Sequence, residues 1–403
     1  MSSADRKSAS SRVSKGSSKA RGKATKRASA EGAGRGAKGT GRGAEGTGTG
    51  TPQVLLDLLS ARGPSGYETA PAAVWLEAAS AFAEVSTDVL GTPLARVAPK
   101  HGFERGARRL LVIGHIDEIG LIVTHIDDDG YLWFGPVGGW DAQILVGQRV
   151  TVNTRGGRVL GVVGKKPIHL LRDEDRKKVA EVRDLHVDIG ARDGDDARER
   201  VRIGDVAVID ADPVELPNGR LTSRALDNRL GSFVALEAAR LLAEQGGGAW
   251  ELAAVAVAQE EITFGGSSTS AFSLEPDAAI VVDVTHATDA PGIEIKEIGK
   301  HELGSGPVLS RGSTLHPQLF ELLYETAERE QIPFTVEATA RATGTDADAV
   351  HASRAGVPTA LVSIPIRYMH SPVELVQLDD VRACARLIAA AALRLDADTS
   401  FAR

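Results

Sequence analysis

The chain has 403 residues, 42% hydrophobic and 25% charged, which is enough to bury a sizeable core, and two domains, and excludes a chain disordered throughout. The formal net charge of -7 is unevenly divided: residues 1–50 hold twelve Lys/Arg against three Asp/Glu, so a basic tail precedes an acidic body. The single cysteine, Cys384, excludes an intramolecular disulfide framework, a thiolate zinc finger and a cysteine-ligated iron–sulfur cluster, and suits a reducing compartment.

Residues 1–50 are Ser, Ala, Gly, Lys and Arg with almost nothing apolar, the composition of a disordered arm whose partners are at most weak, nonspecific polyanions. Two GxGxxG matches, Gly34–Gly39 and Gly41–Gly46, follow no predicted strand and open no helix, so neither is a dinucleotide site. From Thr51 onward helices are expected at PQVLLDLLSARG and Ala70–Val85, then at Asn228–Glu244, Pro317–Glu330 and Leu378–Leu395. Apolar strands are expected at Arg109–Gly114, Leu252–Ala258, Ala278–Val284 and Thr359–Ile364, an alternation that predicts a helix-covered sheet. Between Leu121 and Asp212 short alternating runs separated by Gly, Asp and Asn predict several strands with almost no helix, as in a small barrel or sandwich. The expected organisation is an α/β domain, 51–120 and 213–403, interrupted by a β insertion at 121–212. No stretch approaches the roughly 20 apolar residues of a membrane span, and Met1–Val13 has no secretory core; the chain reads as a cytoplasmic protein.

There is no GxSxG, HExxH or GxxxxGK[ST] motif, which disfavours covalent serine chemistry and P-loop chemistry. Cys384 lies in an apolar helical pattern, where packing is its expected role. Asp127–Gly130 (DDDG) lacks the Glu that a calcium loop needs eleven residues on, and reads as a turn. What remains is a series of His, Asp and Glu at strand and helix ends, where α/β sheets place functional groups. RLLVIG runs into His115-Ile116-Asp117, whose i, i+2 spacing turns His115 and Asp117 to one face of an extended chain. LAAVAVAQ runs into Glu260-Glu261, AAIVVDV ends near Asp283, SIPIRYM precedes His370, and Asp227 opens DNRLG. Each alone has an ordinary explanation: a helix cap for Asp227, surface charge for the Glu pair, a core histidine for His370. Together, without an accompanying Lys/Arg cluster, they are hard and borderline ligands for zinc, cobalt or manganese. Two divalent ions would balance Asp227, Glu261, Asp283 and one hydroxide, leaving Glu260 as the candidate general base. Adjacency leaves open which of Glu260 and Glu261 is the ligand.

GPSGYE (63–68), GHIDEIG (114–120), ALDNRLG (225–231), QEE (259–261), VDVTHATDAPG (282–292), GTDADAVHASRAGVPTALVSIP (344–365) and RYMHSPVE (367–374) resemble, in content and order, the motifs of the tetrahedral aminopeptidases. These are dinuclear metallopeptidases, also labelled glutamyl or deblocking aminopeptidases. The resemblance runs from about Thr51 to Leu395 and implies a mixed-sheet α/β/α metallopeptidase domain with a small inserted β-barrel-like domain used for dimerisation. It implies removal of N-terminal residues from short peptides, two divalent metals (zinc or cobalt, with manganese as a further candidate), and dimers assembling into hollow dodecamers. It places His115 and Asp283 on one metal, Glu261 and His370 on the other, Asp227 as the bridge, Glu260 as the base, and Asp117 as the residue orienting His115. One departure lies beside the site: where the family usually continues Val-Gly-Leu-Arg-Gly after the Glu pair, this chain has Ile262-Thr263-Phe264-Gly265-Gly266. Rival readings are another metal-dependent amidase or carboxypeptidase, and a metal-free scaffold whose basic tail binds nucleic acid. A glycosidase is disfavoured, because two carboxylates leave the histidines unexplained.

Overall fold

A computed structural model describes residues 50–103 and 106–402. The disordered arm and polyanion contact expected of residues 1–50 fall, but for Gly50, outside the described residues.

Four parallel strands form the centre of an eleven-stranded mixed sheet, in the order Glu251–Val257, Arg109–His115, Ala278–His286 and Thr359–Arg367. Their registers align Val257 with His115 and Asp283 with Ser363, so the chemically distinctive residues emerge at a common edge, the carboxyl ends of the strands. Both faces are covered. Leu110 and Val112 belong to a core with Leu230, Val234 and Leu387, whereas Leu111 and Ile113 pack with Ala271, Ala347 and Val350. This explains why the central strands read as continuous apolar runs.

The expected helices occur as Gln53–Ser60, Thr69–Ser80, Leu226–Glu244, Pro317–Arg329 and Leu378–Leu393. The second stops short of its expected end because Glu84–Thr87 turns into an edge strand. Short strands that the sequence did not reveal extend the other side of the sheet: Glu374–Gln377, Arg220–Ser223 and Val214–Leu216. Among the described residues no helix is long and apolar enough to cross a membrane.

Gly120–Ile126, Leu132–Val137, His186–Asp188, Gly157–Gly164, Arg149–Thr154 and Val206–Ile209 close into a six-stranded antiparallel barrel. Leu121, Leu132, Val150 and Val187 fill it with a separate apolar core. Alternation alone fits a barrel and a sandwich equally. Pairing of Leu121 with Ala207 and of Ile122 with Val206 decides for the barrel.

Candidate metal centre

Close backbone approach sets the frame. A Cβ on Gly114 would lie 2.1 Å from the carbonyl carbon of Gly231, and one on Gly231 would lie 2.6 Å from Val282 O. Only glycine at these positions lets the helix Leu226–Glu244 settle against strands Arg109–His115 and Ala278–His286. Asp227 and Asn228 keep non-helical dihedrals at the head of that helix. Asn228, not Asp227, serves the helix end: its Oδ1 accepts the Gly231 N–H and its Nδ2 donates to Val282 O. The Asp227 carboxylate is thereby left to face the sheet edge.

His115 ends its strand, 1% exposed, with Nε2 3.1 Å from Asp227 Oδ1 and 3.6 Å from Glu260 Oε2. His370 Nε2 lies 3.3 Å from Asp227 Oδ2 and 3.6 Å from Glu261 Oε1. One ligand atom each from His115, Asp227 and Asp283 falls within 4.8 Å of the others, and the same holds for Asp227, Glu261 and His370 and for His115, Glu260 and Glu261. Asp227 presents one oxygen to each histidine, so the first two groups share it. His125, in the second His-Ile-Asp copy, is exposed on the first barrel strand, outside these groups.

Asp117 is fully buried. Its Oδ1 lies 3.4 Å from His115 Nδ1 and accepts the Glu260 N–H, while its Oδ2 accepts from Ser65 Oγ and from the Glu261 N–H. One carboxylate thus accepts from both backbone N–H groups of the turn carrying the glutamates and lies beside the His115 ring. Two arginines that the sequence spacing did not reveal, Arg224 and Arg229, both bind Glu118, and Arg224 lines a small cavity with Asp227, Glu261 and His370. Neither neutralises the candidate ligands.

Five non-glycine residues adopt left-handed backbone next to these groups: Ala225, Gln259, Phe264, Tyr368 and His370. Such conformations persist only where the surroundings fix them. One surrounding contact is Glu68, buried, whose Oε1 accepts the Gln259 N–H. Glu374 and Asp346 are further buried carboxyls beside the ligands; their surroundings in the sequence, RYMHSPVE and GTDADAV, carry no apolar periodicity that would have singled them out.

The electrostatics show a centre short of positive charge. Burial pushes Glu260 up to about 10 and Glu261 up to about 8, and raises Asp283 well above the carboxylate range. The Asp227 carboxylate lifts His370 to about 9. His115 is raised well above its ordinary value: burial opposes its charge, but Glu260, Asp117 and Asp227 overcome burial. Glu261 Oε1 is buried without a hydrogen-bond partner. Divalent cations here would offset the cost of burying these carboxylates, and the oxygen and imidazole donors match such ions. The centre opens on a cleft of about 500 Å³ whose walls include Phe264, His286, Glu337, Thr345 and Met369.

Histidines and carboxylates gathered at the carboxyl edge of a parallel sheet, beside an open cleft, define a divalent-metal hydrolase. Residues 95–387 match the M42 glutamyl aminopeptidase family. A lysyl aminopeptidase of Pyrococcus furiosus is 38% identical over 300 residues, covering 74% of this chain and 83% of the relative. A TET aminopeptidase from a marine-sediment thaumarchaeon superposes with a TM-score of 0.80 at 36% identity, covering 86% of this chain and 97% of that one. Pyrococcus horikoshii TET1, which can assemble into a tetrahedron or a large octahedral shell, gives 0.74 at 30% identity, over 85% and 99%. The chain belongs to the M42 family and is a metal-dependent aminopeptidase.

Proposed function

We propose that this aminopeptidase removes N-terminal residues from short peptides with two divalent ions, zinc or cobalt, held by His115, Asp283, Glu261 and His370 with Asp227 shared. The two three-residue groups with Asp227 in common carry this reading. When bound, such ions supply Lewis-acid polarisation of the scissile carbonyl and acidify the attacking water. Glu260, whose Oε2 faces His115 from the cleft side, takes the proton of that water and delivers it to the leaving amine. Asp117 fixes the His115 ring and holds the backbone of Glu260 and Glu261, so base and ligand keep their offset. Asp283 Oδ1 accepts the N–H of Val284, which restricts that carboxylate to one rotamer beside His115.

The barrel insertion, 121–212, is the dimerisation domain in this reading, within an α/β domain of 51–120 and 213–403; residues 1–50 form a separate arm. TET relatives assemble into a dodecamer or larger shells, which supports a hollow oligomer admitting peptides. The one cysteine, Cys384, is buried and free, which agrees with a cytoplasmic setting. Hydrolysis of aminoacyl anilides beside their N-acylated analogues, with metal content measured on the same protein, tests the function. Cleavage of the free-amine substrates alone, with close to two metals per chain, is expected. Preference for the N-acylated compounds would favour the amidase alternative.

A further inference from the structure

Two ligands of the proposed centre come from segments far apart in sequence, Asp227 after the strand Arg220–Ser223 and His370 before the strand Glu374–Gln377. These two strands pair antiparallel with Ser223 opposite Glu374. The ladder therefore brings the start of one ligand segment and the end of the other together, with Glu374 between them. Glu374 is 2% exposed. Its Oε2 accepts the N–H of Asp227 at 3.1 Å and its Oε1 accepts the N–H of His370 at 2.8 Å. Among the described residues, both carboxylate oxygens are thus used on ligand backbones. Both contacts matter locally: Asp227 stands outside the regular helix, where no intrahelical carbonyl fixes its N–H, and His370 has φ +58°, a conformation that a non-glycine residue holds only under constraint.

We propose that Glu374 is a positioning residue that sets the separation of Asp227 and His370, and so the affinity of the cation site made by Asp227, Glu261 and His370. It complements Asp117, which does the same for His115, Glu260 and Glu261. This role rests on the two-cation reading of the centre. Buried groups that orient metal ligands control metal affinity by about 10–100-fold. The His115–Asp283 side also uses Asp227, but it is held in addition by Asp117 and by the Val284 N–H and lacks His370, so it is less dependent on Glu374.

The test is a calorimetric titration of metal-free protein with cobalt(II), read together with the visible absorption of the bound ion, for the wild type, Glu374→Gln and Glu374→Asp. Glutamine offers one oxygen and turns its amide donor against the second N–H. Aspartate keeps the carboxyl group but is one methylene too short to reach both. The expected result is two cobalt ions per wild-type chain, and in each variant one ion weakened by about tenfold or more while the other changes by less than about threefold. Circular dichroism establishes that the variants are folded. Dissociation constants within about twofold of wild type at both sites would overturn the proposal, as would equal weakening of both. Failure of both variants to fold would assign Glu374 to the core and overturn it as well. Wild-type protein that takes up no cobalt would overturn the two-cation reading itself, and the role of Glu374 with it.

Discussion

Glu260 and Glu261 are chemically identical neighbours, yet the one-turn helix Glu260–Thr263 sends them to different partners. Both come near His115, but Glu260 Oε2 lies 3.6 Å from His115 Nε2, whereas Glu261 alone joins His370 and Asp227. If Glu260 moves protons and Glu261 binds metal, Glu260→Gln keeps the metal content and lowers turnover by roughly two orders of magnitude or more. Metal analysis beside a rate assay decides this, and metal lost with that substitution would make Glu260 a ligand. Sequence adjacency carried no information on the point, because the assignment depends on a left-handed Gln259 that rotates the pair. The same cluster predicts a pH dependence for the metal-free protein. Glu261, raised to about 8, and His370, raised to about 9, both hold protons at neutral pH that an incoming cation must displace. Raised pKa values on ligands mean that affinity is lost as pH falls. Metal binding therefore strengthens from about pH 6 to about pH 9, most steeply below about pH 8, with proton release, and titrations in buffers of different ionisation enthalpy will register it. A flat affinity over that range would count against these two ligands.

At the scale of elements, the central strands were legible because burial on both faces leaves continuous apolar runs, and a His, Asp or Glu lies in or shortly after each run, from His115 directly after its run to His370 six residues on. The strands Glu374–Gln377 and Arg220–Ser223 were not legible. Each is four residues long, below the length at which alternation is distinguishable from chance, so the contact of Glu374 with two ligand segments had no sequence signal. Close packing of helix Leu226–Glu244 on strand Arg109–His115 gives a sharp prediction. Gly114→Ala forces a Cβ into the Gly231 backbone, and is expected to cost about 1–3 kcal/mol or more and to lower metal affinity, because His115 is the next residue. A melting curve beside a cobalt titration measures both; unchanged values would mean that the helix and strand move apart freely. The duplicated His-Ile-Asp separates by element in the same way. Asp127 of the second copy accepts N–H groups of Asp129 and Tyr131 and the indole of Trp133, as a turn residue does. His115→Ala is therefore expected to lose metal and activity, whereas His125→Ala keeps both and costs at most about 1 kcal/mol. Greater damage at His125 would place the centre on the wrong copy.

At the scale of the whole molecule, charge governs which peptides suit the cleft. Residues 51–403 carry a large acidic excess; among the described residues no Lys or Arg lines the cleft of about 500 Å³, and Arg224 of the small cavity adjoining the ligands is paired with Glu118. Asp227, Glu260, Glu261 and Asp283 are engaged in the metal centre in the proposed reading. Glu337 is left over, half-buried, with its carboxyl raised by that burial. The loop after the Glu pair adds no charge to the cleft: it contributes Phe264 to the wall. An acidic first side chain would enter a cleft without a guanidinium or ammonium to receive it, and a carboxylate desolvated without a partner is costly. A neutral one can pack on Phe264, Val284 and Met369, and a basic one meets the Glu337 carboxyl. Lysyl and leucyl anilides are therefore expected to exceed glutamyl anilide in kcat/KM by about tenfold or more, which a barrier difference of about 1.4 kcal/mol supplies. The lysyl advantage should shrink with added salt, whereas the leucyl advantage should not. Glutamyl anilide as the best substrate would mean that a cation from outside the cleft's own residues, such as a neighbouring subunit's, reaches the bound side chain.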